Sequence, residues 1–215
     1  MAVPAAGPRR GRGRRPLAEV RADVLEAAAE VLMAHGVAGF TVEKVVVASG
    51  VSSATVYRHW PSRGALALDG FRHAVGDQVA LDDTGDVRAD LERFITAFIR
   101  LATQRPAGPV FAQLIGAAQT DAELAGQFEH HYFGPRRRDA FALLEKAKER
   151  GQLRAGADPG LLVDLIWGAC YIRLLLPHLT DQLTEDFAPA VVDQALAGLL
   201  VPTAGEETAG KVTEP

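Results

Sequence analysis

The side chains best suited to chemistry lie in residues 41–60, TVEKVVVASGVSSATVYRHW. Thr41, Ser52, Ser53 and Thr55 are short hydroxyls. Lys44, Arg58 and, just beyond the stretch, Arg63 are cations, and Tyr57 and His59 are rings with polar tips. The hydroxyls open a short helical stretch and the aromatic and basic groups close it. Small side chains let a helix backbone come close to a polyanion. Hydroxyls, together with the free N–H groups of a helix start, can then bind phosphates or base edges. The chemistry implied is recognition of a nucleic-acid groove.

Other chemistries are poorly served. There is no nucleotide-binding glycine motif, no nucleophile elbow and no helical histidine pair at zinc spacing, so neither catalysis nor a cofactor is expected. His59 has no partner at ligand spacing. His130 and His131 are adjacent, pointing about 100° apart on a helix, and cannot form a metal pair alone. Cys170, the single cysteine, sits in an apolar helix and reads as a small buried hydrophobe. Asp69, His73 and Asp77 share a helix face that reads as solvated. Phe98, Phe111, Gln113, Phe128, His131, Trp167 and Tyr171 are the candidates for lining a ligand pocket, with core or interface packing as the default for each ring.

Helices must position these groups. Val20, Val24, Ala27/Ala28 and Val31/Leu32 step by three and four, which predicts a helix from Pro16 to His35 stopped by Gly36. A second runs from Phe40 to Ser49 with Thr41 as N-cap, Lys44 in the capping-box position and Val42, Val45 and Val46 facing inward. Gly50 supplies a turn suited to positive φ, Ala48 is small where two helices would meet, and Val51 and Val56 anchor the core. Ser52 or Ser53 caps a third helix to about Trp60, and Ser62 a fourth through Ala74.

Beyond the acidic loop Asp82–Asp86 the pattern stays helical. Leu91, Phe94/Ile95, Phe98 and Leu101 form one face. A break at Gln104–Pro109 precedes a helix over Val110–Gln119 and a longer one over Asp121–Arg150, irregular at Gly134–Pro135. Asp158 and Pro159 start a helix whose segment Leu161–Leu176 is apolar almost all round and therefore expected to be covered on several sides. Phe187–Leu200 gives the last stripe. The expected fold is all-α with about nine helices. The domain reading is an arm at 1–15, a small helical domain at 16–77, a larger one at 78–202 and a loose tail at 203–215.

Charge divides the same way. Residues 1–63 hold nine basic and five acidic residues, so the net −4 of the chain leaves −8 for the rest. A basic end on an acidic body suits a polyanion at one end only. Arg14 and Arg15 belong to the arm RRGRGRRP, composed to stay disordered. No secretory signal or membrane-length apolar run is seen, so a cytoplasmic location without membrane contact is expected.

Residues 21–71 resemble the DNA-binding domain of the TetR/AcrR family of bacterial regulators. The specific part is GVSSATVYRHWPSR, whose Gly, Tyr, His, aromatic and basic positions fall at family spacing. A weaker resemblance to a TetR C-terminal domain covers GAAQTDAELAGQFEHHYFGPRRRDAFALLEKAKERGQL and GACYIRLLL. The resemblance implies a helix-turn-helix at 41–60 in which Thr41 and Tyr57 contact phosphates, Ser53, Thr55 and Ser52 approach bases, and His59 and Arg63 grip the backbone. Lys44 adds a phosphate contact, and the role of Arg58 is open. The arm RRGRGRRP, with Arg14 and Arg15, resembles extensions that some members lay into the narrow minor groove, which arginine suits. The family resemblance further implies a homodimer through helices near 158–177 and 186–200, a palindromic operator in double-stranded DNA, and a hydrophobic or amphipathic small-molecule effector that relieves repression. An activator or a ligand-independent regulator is the alternative within the family. The rival class is an enzyme or interaction module using the acidic half.

Overall fold

The computed structural model describes residues 16–76 and 78–197. Arg14, Arg15 and the rest of the arm, Asp77, the expected last turn at 198–200 and the tail lie outside the described residues. Among those described there is no strand, and ten α-helices follow in order: α1 (Leu17–Gly39), α2 (Val42–Ser49), α3 (Ser53–His59), α4 (Arg63–Val75), α5 (Val87–Thr103), α6 (Ala107–Ala118), α7 (Ala122–Phe128), α8 (Gly134–Glu149), α9 (Pro159–Leu175) and α10 (Phe187–Ala197). They form two compact units. The described residues up to 76 group with 104–133, and 78–103 with 134–197.

In the first unit α1 follows its predicted stripe, burying Val24, Ala27, Ala28, Val31 and Leu32. Gly36 breaks it at φ 63°, as its type suggests, but the chain then makes one more turn to Gly39. The Val37 N–H, deprived of its helical partner by that break, donates to Gln113 Oε1 of α6 at 2.9 Å. Helices α6 and α7 pack on α1 and α4, so the compact unit extends past residue 77 to take in residues 104–133. Its centre is aromatic: Phe71 stacks on Phe111 at 5.2 Å, and Phe111 meets Tyr132 at 5.1 Å. The irregularity expected at Gly134–Pro135 arrives slightly earlier, as a π-helical turn over Glu129–Phe133 that carries the buried Tyr132. A π turn shifts the helical register by one residue and so re-aims the side chains after it.

The second unit is a layer of α5, α8, α9 and α10. Its core joins Leu91, Phe94, Ile95 and Phe98 of α5 to Leu144, Ile166, Cys170 and Val192. Phe94 stacks on Trp167 at 5.8 Å and Phe98 meets Tyr171 edge-on at 5.5 Å. The acidic loop before α5 is tightly held. Asp83 accepts from Arg150 (2.7 and 3.1 Å) and Lys146 (2.9 Å), and Gln152 donates to the Gly85 carbonyl. Asp90, the buried acid of α5, accepts from the Thr84 N–H and hydroxyl and pairs with Arg93.

Helix α9 buries Leu162, Val163, Ile166, Cys170 and Leu174 in its own chain, while Leu161, Leu165, Ile172 and Leu175 are exposed. One expectation changes: Ala48 is exposed rather than wedged between helices, and the fully buried residues there are Val45 of α2 and Val56 of α3. Among the described residues no helix is long and apolar enough to cross a membrane.

The Arg150 guanidinium and then the Lys146 ammonium hold the Asp83 carboxyl well below the usual carboxylate range. A folded-state pKa below the unfolded one gives stability that is present above about pH 4 and lost as pH falls below it. Urea unfolding at pH 7 and pH 3 should therefore show Asp83→Asn destabilised at pH 7, with the gap to the parent chain narrowing at pH 3. An equal gap at both values would contradict this account.

Candidate nucleic-acid interface

Helices α2 and α3 are eight and seven residues long. Helices this short are marginal alone, so caps and packing must define them. The Thr41 hydroxyl accepts from the Lys44 N–H, and the Ser52 hydroxyl accepts from the Thr55 N–H, at 3.3 Å in each case. Gly50 ends α2 in the left-handed region at φ 67°. Ser62 caps α4 by accepting from the Ala65 N–H at 3.1 Å. These are the caps and the turn that the residue types predict.

Anchoring is one-sided. Val42, Val45, Val56 and Trp60 are buried, whereas Ser52, Ser53, Ala54, Tyr57 and Arg58 are exposed. Tyr57, 49% exposed, therefore stands out from the core with its phenol available. Thr55 is half-buried, its hydroxyl 3.0 Å from that of Ser52. His59 is half-buried with its ring edge-on to Trp60 at 5.9 Å. Lys44 turns back to donate to the Gly39 carbonyl at 2.8 Å, so its ammonium sits at the start of α2 beside the Thr41 cap. Arg63 opens α4 and, like Arg58, is exposed and pairs with no carboxylate among the described residues. The outer surface of the motif thus collects hydroxyls, a phenol and two unneutralised guanidinium groups, which suits a phosphate-lined groove.

The candidate ligand residues do not converge. Phe111 and Phe128 are enclosed in the aromatic core of the first unit. Gln113 holds the Gly36 bend, and His131 is exposed on the π turn. Phe98, Trp167 and Tyr171 belong to the second unit. There a small cavity of about 10 Å³ is lined by Leu81, Leu91, Phe94, Leu144, Ile166 and Trp167 among other apolar residues. Among the described residues no group of three or more His, Cys, Asp or Glu could hold a metal ion. Burial pushes the Cys170 thiol up to about 12, which suits an inert core residue.

Comparison with known proteins places the motif. The model of bacterial regulatory proteins of the tetR family matches residues 24–69, and that of the tetracyclin repressor-like C-terminal domain matches 81–195. The chain belongs to the TetR family. The HTH-type transcriptional regulator YdeS of Bacillus subtilis is 34% identical over 85% of this chain and 91% of its own length. The DNA-binding transcriptional repressor TetR of Mycobacteroides abscessus is 29% identical over 85% and 95%. The solved TetR family transcription regulator SCO0332 is 48% identical, covers 85% of this chain and all of its own, and has a TM-score of 0.74. This chain is accordingly a TetR-family transcriptional regulator, of the all-helical fold with an N-terminal helix-turn-helix.

Two features of this regulator escaped sequence reading. Trp60, noted only as an aromatic of the motif, donates its indole N–H to Asp69 at 3.0 Å, so Asp69 is not simply a solvated acid. The exposed large apolar residues of α9, at 161, 165, 172 and 175, follow helical spacing with Gly168 between them. Their spacing could have marked a face, but apolar neighbours around the helix masked which side was free.

Nothing lies within 4 Å of a Cβ built on Gly50, so only its backbone conformation restricts that site. Gly50→Ala should therefore lower stability by roughly 1–2 kcal/mol, the strain of a left-handed alanine. Thermal unfolding checks this, and an unchanged melting temperature would refute it.

Proposed function

We propose that this TetR-family regulator is a ligand-responsive homodimeric repressor that binds a palindromic operator through α3. The observation that carries the reading is the one-sided anchoring of α3. Val56 and Trp60 bury its inner side, while Ser53, Tyr57 and Arg58 stand exposed on the other. In this reading Ser52, Ser53 and Thr55 approach base edges. Thr41, Tyr57, His59 and Arg63 take phosphates, with Lys44 and Arg58 adding positive charge. Arg14 and Arg15 are assigned to the minor groove on sequence grounds alone. The repressor role is supported by the relative from Mycobacteroides abscessus, named a transcriptional repressor.

The homodimer reading rests on α9. An exposed row of Leu161, Leu165, Ile172 and Leu175 is costly in water, and a second copy of the same row is the simplest cover for it. Gly168 has open space where a side chain would be, which allows close helix approach. A groove of about 800 Å³ between α9 and the end of α10, bordered by Leu161, Leu165 and Val191, continues the same face. Two α3 helices set by such a dimer would read half-sites about one DNA turn apart.

The effector site is assigned to the second unit, at the apolar cavity beside Phe94 and Trp167. Its lining offers almost no hydrogen-bonding partner, so an apolar effector fits and a charged one would be left unpaired. The cavity is small, and binding must widen it. The effector then acts by preferring one of two states of the dimer, and the operator affects effector affinity in return.

The regulator should bind a defined site in footprinting of DNA upstream of its own gene, and Thr55→Ala should change which sequences it selects. Arg63→Ala should weaken all sequences alike and reduce the salt slope by about 1, the loss of one phosphate contact. Failure to bind any double-stranded DNA would end this reading. Leu165→Glu should shift the species seen by light scattering from dimer to monomer. A dimer that persists in that variant would place the interface elsewhere.

A further inference from the structure

We infer that Asp69 is a positioning residue for DNA recognition. It fixes the rotation of α3 by accepting the indole N–H of Trp60, while Arg21 and Arg72 hold its own carboxylate in place. The inference rests on α3 being the DNA-reading helix.

Helix α3 has seven residues, and the buried side chains that anchor it are Val56 in its last turn and Trp60 at its C-cap. Apolar burial at Val56 holds the helix inward but is non-directional, and so leaves rotation about the helix axis weakly defined. A hydrogen bond is directional. The Trp60 Nε1–H donates to Asp69 Oδ2 at 3.0 Å, linking the end of α3 to the middle of α4. Arg72, one turn along α4, donates to Oδ1 at 3.3 Å. Arg21 of α1 donates to Oδ2 at 3.5 Å, and its guanidinium carbon lies 5.4 Å from the centre of the Trp60 ring.

Three helices therefore converge on one carboxylate. The indole is gripped at its polar edge by Asp69 and over its face by Arg21. Tyr57 and Arg58, the exposed groups nearest Trp60 in α3, inherit their direction from that grip. A misrotated α3 would still present positive charge to phosphates but would lose alignment with base edges. Positioning by Asp69 thus predicts lost discrimination more than lost general attraction.

The test uses the full-length dimer and a duplex selected by the parent protein from a random library, with an unrelated duplex of equal length for comparison. The variants are D69L, which removes every bond of the carboxylate; W60F, which removes the indole donor; and D69N, which keeps an acceptor for the indole. E26Q is the control. Glu26 pairs with His73 at 2.9 Å, joining α1 to α4 without touching Trp60.

D69L and W60F should raise Kd for the selected duplex roughly tenfold, the size of one lost hydrogen bond to a charged group. On the unrelated duplex they should change Kd less than about threefold, since phosphate attraction dominates there. D69N should recover most of the selected-site affinity, and its Trp60 indole proton should stay protected from exchange in NMR spectra. E26Q should bind both duplexes as the parent does.

Equal losses on both duplexes, or a loss in E26Q matching that in D69L, would reduce Asp69 to a stabilising residue and overturn the inference. Parent-like discrimination in D69L or W60F would overturn it too. If D69L does not fold, W60F and D69N decide alone. If the parent selects no duplex at all, the DNA-reading assignment of α3 fails first, and with it the basis for this one.

Discussion

The crossing of α1 and α4 is the contact on which the first unit depends. At that crossing Gly70 faces Ala28 and Ala29. A side chain on Gly70 would meet the Ala28 Cβ at 2.9 Å and its carbonyl carbon at 3.1 Å. The two backbones are therefore as close as helices with small residues allow, and nothing larger fits between them. Val24 and Leu32 of α1 and Leu66, Leu68 and Phe71 of α4 are all nearly fully buried in this unit. The crossing also sets the polar pairs on either side of the seam: Arg21 reaches Asp69 and His73 reaches Glu26. Helices α2 and α3 are too short to hold a shape unaided, so they take their orientation from this frame.

The frame explains why the outer residues of α2 and α3 can be so exposed without loss of order. Each of the three short connections is defined by a side chain or backbone feature independent of any partner: Thr41 and Ser52 as caps, Gly50 at positive φ and Ser62 as the next cap. The inner sides of α2 and α3 are closed by Val45, Val56 and Trp60. The outer sides are then free to carry groups that stabilise nothing locally, which is the condition for a surface that can vary with its target. Tyr57 and Arg58 are such groups. Val47, 83% exposed on α2, is another residue whose side chain contributes nothing to the core.

How far the sequence discloses this depends on the range of the interaction. Caps and turns act over three or four residues, so Thr41, Gly50, Ser62 and Asp158 are legible from type and position alone, and the cap of α3 is narrowed to Ser52 or Ser53, of which the structure uses Ser52. The helical stripes were legible for the same reason, and the family motif added the direction in which α3 faces. Contacts between distant segments were not. The Trp60–Asp69 bond spans nine residues and turns a corner, and Gln113 reaches Val37 across 76. No periodicity encodes either. Gln113 looked like a polar group awaiting a ligand because the donor it satisfies is created only when Gly36 breaks α1.

Helix α9 shows a limit of another kind. Composition says that Leu161–Leu176 must avoid water, which implies cover on several sides without saying which side the chain itself supplies. The structure buries Leu162, Val163, Ile166, Cys170 and Leu174 and leaves the opposite row in solvent. Apolar composition marks the helix as one to be covered but does not show which of its sides the same chain covers. Arg137 and Asp164 pair at the margin of this helix, and Arg173 lies over Phe187 at 4.5 Å. Charged side chains thus flank the apolar row instead of interrupting it. An apolar strip with a charged border is how an interface core differs from an aggregation-prone surface, because the border sets the register of approach. In the proposed dimer a second copy would cover the residues that make α9 look overfilled for one chain.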